Sequence, residues 1–294
     1  MKKIQLAFAC LFYGLTSFAQ KDKVYISLDE ALKNPSDVYI LYLNNEKLSD
    51  VPESIMKFPN LTTLNLSGNR LSDVPGNLTS LSHLTELDLS DNKFNTVPET
   101  VTKLTTLTEL DMSGNNFSFV PGSITNLTNL KQLYLNNNKL ASFPDFFSKM
   151  TSLEEIYLYG NMIPSIPENI SKLIHLTEIG IGGNLLKALP ESMASLTHLK
   201  YLALSYNQFT VLPACVTKMT SLIVLDLNGN KLTAIPDNIS NLSRLAELYL
   251  ESNKLTTLPE SITKLGELSK INIKENNALK LPASVKAFIQ DKKL

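Results

Sequence analysis

The chain has 294 residues, 27 basic and 28 acidic, with 43% hydrophobic residues and no tryptophan. A near-neutral balance of this kind excludes the strongly basic face that a phosphate backbone needs, so nucleic acid is not an expected partner. With only Cys10 and Cys215 present, a disulfide framework is excluded as well.

The first nineteen residues stand apart from the rest. Lys2 and Lys3 precede an apolar run from Ile4 to Phe18 that is too short to span a bilayer, and Ser17-Phe18-Ala19 places small residues where a signal peptidase reads. Residues 1–19 are therefore expected to be a bacterial-type export signal cleaved before Gln20, which sends the protein to the periplasm, the cell surface or the medium. The competing reading uses Ala9-Cys10 as a lipoprotein processing site, but leaves a very short apolar core before it.

Residues 20–37 are expected to form an N-terminal capping helix. Ser27 and Glu30 make a capping box ahead of Ala31 and Leu32, and Pro35 stops the helix. Tyr39, Ile40 and Tyr42 make the next strand unusually apolar on its outer side.

From Val38 to Phe288 one 23-residue frame recurs eleven times without insertion or deletion, with units starting at Val38, Leu61, Leu84, Leu107, Leu130, Leu153, Leu176, Leu199, Leu222, Leu245 and Leu268. A fixed period of this length means stacked repeats, in which each unit packs only on its neighbours and one elongated domain can exceed the usual size of a single core. Within the unit Leu222-Ile223-Val224-Leu225-Asp226-Leu227, Leu225 and Leu227 alternate as on one buried strand face. Ile239 and Leu242 follow at helical spacing. Eleven of the fourteen prolines occupy the place of Pro236, where a preset φ suits the first turn of a short helix or 3₁₀ segment. Acidic residues just after it and lysines four residues later complement a helix dipole. Residues 289–294 make a polar finish, and Val285, Phe288 and Ile289 are available to close the distal end. Polar ends predict a monomer.

The pattern L-x-x-L-x-L-x-x-N-x-L-x-x-φ-P-x-x-I-x-x-L resembles the leucine-rich repeat family, in the 23-residue class similar to Ras-binding scaffold and plant intracellular repeat proteins. The resemblance implies an α/β repeat: a right-handed solenoid with a parallel sheet on the concave side and short helical or 3₁₀ segments on the convex side. It also implies that Asn69, Asn92, Asn115, Asn138, Asn161, Asn184, Asn207, Asn230, Asn253 and Asn276 form an asparagine ladder whose amides cap otherwise unsatisfied backbone groups. Glu46 stands at this place in the first unit and marks it as an atypical terminal repeat. Secreted relatives often cap their ends with paired cysteines, which this chain does not; Cys215 reads as an incidental small residue on the convex side.

No catalytic constellation is present. The motifs G-x-S-x-G and H-E-x-x-H and a phosphate-cradling glycine loop are all missing, so no enzyme activity and no cofactor are expected. His83, His175 and His198 sit in the links between repeats, and two neighbouring histidines lack the further ligands of a zinc site. What remains is surface. Residues between the strand leucines face the concave side, and strand stacking turns each such position into a column. Along these columns Glu86, Asp88, Glu109 and Asp111 form an acidic block. Tyr134, Tyr157 and Tyr159 form an aromatic ridge beside Glu155 and Glu178. Gly180, Gly182 and Ala203 leave a bare floor flanked by Tyr201 and Tyr206. Like charges on adjacent strands and glycine within strands both cost stability, whereas tyrosine is favoured in binding surfaces. The reading is a patch for a protein or a basic or amphipathic peptide. Competing readings are a face whose tyrosines only pack on one another, an envelope glycan site, and a host-directed adhesin or effector.

Overall fold

In the computed structural model, described for residues 21–293, twelve strands form one parallel sheet in strict chain order. The expected export signal, and the alternative at Cys10, fall outside the described residues. Strand β1 (Val24–Tyr25) belongs to the cap, β2 (Ile40–Tyr42) opens the first repeat, and β3 (Thr63–Asn65) to β12 (Lys270–Asn272) follow one per repeat. From β2 onward the register advances by one 23-residue unit at every step, for instance Leu64 to Leu87 to Leu110. Parallel crossovers of this kind wind right-handed, which gives the solenoid its hand.

From β2 to β11 the middle residue of each strand is buried, and its neighbours are more open except at Gly180 and Ala203, the period-2 pattern of one covered face. Behind the sheet the leucines and Ile55, Ile124, Ile170, Ile239 and Ile262 fill a continuous core with a file of phenylalanines, Phe94, Phe117 and Phe209 among them. The repeat proline stands one residue before the 3₁₀ turn rather than inside it. Pro236 has φ −77° and ψ 156°, and the turn runs from Asp237 to Asn241. Its missing N–H is therefore incidental. What it contributes is a fixed extended φ and a carbonyl that accepts the first turn bond, from Ile239 N–H at 3.0 Å.

The asparagines bind across repeats in one geometry. Asn161 accepts the Leu140 N–H at 3.0 Å through Oδ1, and its Nδ2 donates to Leu135 O of the preceding repeat and to Leu158 O of its own, both at 3.0 Å. All ten are buried. A second ladder explains two of the histidines, His83 and His198. Asn129, Ser152, His198 and Ser221 each reach the backbone carbonyl 24 residues earlier, as His83 does to Pro59 O at 3.0 Å. These histidines fill a place that serine and asparagine fill in other repeats.

The turn after each strand holds one residue in the left-handed region. At Asn45, Gly68, Asp91, Gly114, Asn137, Gly160, Gly183, Tyr206, Gly229, Ser252 and Glu275 φ lies between 51° and 66°. Glycine, asparagine and aspartate tolerate this conformation; tyrosine, serine and glutamate pay strain there.

The cap differs from a simple amphipathic helix. β1 pairs with β2, Val24 with Ile40 and Tyr25 with Leu41, and helix α1 (Leu28–Ala31) is a single turn. Ser27 accepts the Glu30 N–H at 3.4 Å, but the Glu30 carboxylate turns to Lys23 Nζ at 3.1 Å instead of closing the box. A strand satisfies the open backbone edge of β2, which a helix cannot do. At the distal end helix α2 (Ala283–Asp291) covers the last repeat with Val285 buried, and Lys292 donates to Leu268 O at 3.0 Å. Cys215 is fully buried, not on an open convex surface, and burial pushes its thiol up to about 11.

Candidate functional site on the concave sheet

The strand register brings the predicted aromatic residues together. Tyr134 and Tyr157 are directly paired across β6 (Gln132–Tyr134) and β7 (Glu155–Tyr157), with rings 5.2 Å apart and nearly parallel at 8°. Tyr159, two residues on, continues the stack at 6.1 Å and 19°. Tyr201 joins from β9 (Tyr201–Ala203) with its ring 6.5 Å from Tyr157 and its hydroxyl 3.1 Å from that of Tyr159.

The expected bare floor does not exist. Gly180 and Gly182 are buried beneath the Tyr159 ring, and Ala203 is buried too. A Cβ on Gly180 would lie 2.3 Å from Tyr159 Cε2 and 2.5 Å from Tyr157 Cδ1, and one on Gly182 2.7 Å from Tyr159 Cε1. The glycines are the bed on which the ring lies. The pit is filled, and the surface is a tyrosine plate. Tyr206 is not part of it: this residue sits in the left-handed turn of its repeat, is 68% exposed, and rests its ring over Gly229.

Two of the acidic residues are already engaged by the plate. Glu155 accepts from Tyr134 Oη at 3.2 Å and from Gln132 Nε2 at 2.9 Å, and Glu178 accepts from Tyr157 Oη. Burial, reinforced by these carboxylates, raises the pKa of both phenols, so they stay neutral donors. Glu86, Asp88, Glu109 and Asp111 line a shallow trough of about 140 Å³ with Tyr42, Thr63 and Asn65. Asp88 accepts from Asn65 Nδ2 at 2.7 Å and from Ser90 Oγ at 2.6 Å, and Asp111 from Ser113 N–H at 2.7 Å. Burial raises Asp111 against those hydrogen bonds, and burial with the Glu86 charge raises Glu109. None of the ion pairs among the described residues involves these four carboxylates. No group of three metal-ligating side chains occurs among the described residues, and His175 and His198 instead line an open depression with Lys131 and Glu154.

Sequence reading passed over one further surface. The residue after each ladder position runs Lys47, Arg70, Lys93, Asn116, Lys139, Met162, Leu185, Gln208, Lys231, Lys254, Asn277 along the turn edge. Asn116, Gln208 and Asn277 interrupt this file with neutral polar residues, and beside the tyrosine plate it turns apolar, where Met162 and Leu185 are 47% and 44% exposed.

The architecture and the site define a class: a non-globular repeat solenoid that presents its chemistry as columns on an open sheet. The leucine-rich repeat region profile matches residues 76–183 and 187–289, and a single leucine-rich repeat matches residues 60–81. The chain belongs to the leucine-rich repeat family. No curated protein matches its sequence. Among solved structures it is similar to a leucine-rich repeat protein of Leptospira interrogans, with 26% identity and TM-score 0.76 over 90% of this chain and 79% of the other. It is also similar to a TDR receptor (29%, TM-score 0.70), covering 82% of this chain and 43% of the receptor. A TLR13 structure, solved as a complex with ssRNA13, gives 28% identity and TM-score 0.67 over 82% of this chain and 35% of the other. The chain thus spans less than half of either receptor. No helix among the described residues is long and apolar enough to cross a membrane.

Proposed function

We propose that this chain is a non-enzymatic, exported binding module that holds a protein or peptide on its concave sheet. The observation that carries the reading is the tyrosine plate. Three rings are pre-stacked and a fourth, Tyr201, leans on them, two of the hydroxyls are fixed by glutamates, and Gly180 and Gly182 stand where the Tyr159 ring lies on them. Rigid aromatic side chains with polar tips give large contact area at small entropic cost, which is how protein recognition surfaces are anchored. The unpaired carboxylates of repeats three and four, next along the sheet, favour a ligand whose basic end lies over them. Structural neighbours that include a TDR receptor and TLR13 in complex with ssRNA13 support a binding role for the class without naming a ligand for this chain. RNA is a poor match for a sheet whose charged columns are acidic.

The test is capture from the envelope fraction and spent medium of the producing organism, with the chain from Gln20 onward and a Tyr134→Ala/Tyr157→Ala variant side by side. A protein held by the parent and lost by the variant upholds the reading. Equal capture by both removes the plate from consideration. Sugar stacking on the flat faces of Tyr134 and Tyr157 is the second reading. It differs in being nearly independent of salt, whereas a basic ligand on the acidic block weakens as salt screens it.

A further inference from the structure

We propose that the turn edge beside the tyrosine plate is a second docking surface, an apolar shoulder that takes a protein segment with two or three large apolar side chains between carboxylates. The proposal rests on the binding-module reading but not on the plate itself. Its centre is Met162 and Leu185, which occupy the same position in adjacent repeats. Their backbones are tied in register, Met162 N–H to Leu140 O at 2.9 Å and Leu185 N–H to Ile163 O at 3.0 Å. Their side chains are about half exposed at a place where the other repeats carry lysine, arginine, asparagine or glutamine. Apolar side chains grouped on an otherwise charged edge mark contact surfaces.

Tyr206, on the turn edge of the next repeat, adds a third large exposed side chain. It holds φ 52° in a column dominated by glycine, asparagine and aspartate, yet its ring is mostly exposed. Ser252 and Glu275 share the conformation, but only Tyr206 sets an aromatic ring there, resting over Gly229 with most of its surface open to a ligand. The ligand's charge follows from the flanks. Lys139 and Lys231 bracket the shoulder in the same file, and neither is ion-paired among the described residues. They lie four repeats apart, about 19 Å at the usual strand spacing, a distance that about six residues of extended chain cover. The fitting segment is therefore apolar in the middle, with acidic residues about six positions apart.

The experiment is selection of a displayed library of random twelve-residue peptides against the full chain. Selected peptides are then titrated against Met162→Lys/Leu185→Lys, Tyr206→Gly and Tyr134→Ala/Tyr157→Ala. The first two variants restore residue types that their columns already carry, so folding is retained and the melting transition checks it. Expected are peptides with the acid–apolar–acid pattern that lose at least about tenfold in affinity on the shoulder variants. Loss on the shoulder and the plate together also supports the proposal, as one ligand spanning both. Peptides lost only on the plate variant overturn the shoulder and leave the concave reading standing. Peptides insensitive to every variant overturn both. Co-sedimentation with phosphatidylglycerol vesicles in place of any peptide selection overturns the shoulder as a protein site.

Discussion

Adding one methyl group at Gly180 tests whether the tyrosine plate is the recognition element, because it moves the rings without removing any of them. In the Gly180→Ala variant the new Cβ meets Tyr159 Cε2 at 2.3 Å and Tyr157 Cδ1 at 2.5 Å, too close for either ring to stay. Both atoms belong to side chains at an open face, so the rings can swing outward. The cost is then a forced rotamer change, about 1–3 kcal/mol for overpacking. Loss of the Tyr159–Tyr201 hydroxyl contact adds about 0.5–1.5 kcal/mol. Replacing glycine within a strand returns about 0.5–1 kcal/mol. The net expectation is a destabilisation of about 1–3 kcal/mol, read as a lowered urea midpoint. The tyrosine near-ultraviolet circular dichroism should fall sharply while the far-ultraviolet spectrum is unchanged, and partner capture should drop as far as in Tyr134→Ala/Tyr157→Ala. An unaltered near-ultraviolet spectrum would show that the rings do not rest on Gly180 in solution. An altered spectrum with undiminished capture would refute the role of the plate in binding.

Four other outcomes follow from the same geometry. Asn161→Ala strips a partner from the Leu140 N–H and from the carbonyls of Leu135 and Leu158, all buried, and should destabilise by about 3–5 kcal/mol; a urea transition shifted by under 1 kcal/mol would contradict the ladder's role. Tyr206→Gly relieves about 1–2 kcal/mol of left-handed strain and loses about 0.5–1 kcal/mol to chain entropy, so thermal melting should show equal or slightly greater stability. A clear loss would mean that the ring's packing on Gly229 outweighs the strain. Glu109 has its folded pKa raised, so its ionised form opposes folding: the penalty is present above the folded pKa and vanishes as pH falls below the ordinary carboxylate value. Glu109→Gln should accordingly raise the melting temperature at pH 7 and leave it unchanged near about pH 4. Cys215 should resist a thiol reagent in the native protein and react fully in urea, because the thiol is buried and its pKa is raised.

The 23-residue frame made the repeat fold legible because every unit satisfies the same backbone groups in the same way, so leucine, asparagine and proline recur wherever the physics recurs. The concave columns were legible for the same reason: register in a parallel stack follows from the period alone. Side-chain reach was not. Gly180, Gly182 and Ala203 read as an open floor because column analysis places Cβ positions, and nothing in it says that Tyr159 lies sideways over two strands. A signal existed, since Tyr159 is the only aromatic in a column otherwise dominated by serine, asparagine and glycine, but its direction is a rotamer question. Tyr206 was grouped with the plate from its nearness in sequence to Tyr201. The left-handed turn between them carries it to a different ridge. The cap was misread because a capping box predicts where a helix starts and not how long it runs.

These departures matter because of where they fall. Stability in a solenoid is close to a sum of repeat and interface terms that are the same along the stack, so a departure from the repeat pattern is free to stand anywhere that folding tolerates it. Tyr159, Gly180, Gly182 and Tyr201 on the sheet, and Met162, Leu185 and Tyr206 on the turn edge, all lie in repeats six to eight. Each works against the local rule: aromatic for serine, glycine in a strand, apolar side chain for lysine, tyrosine in a glycine conformation. Packing explains some of them singly, as the glycines are explained by the ring above them. It does not explain why the sheet and the edge deviate over the same three repeats. A single ligand laid across both surfaces would require it, and the shoulder and plate variants are arranged to separate that case from coincidence.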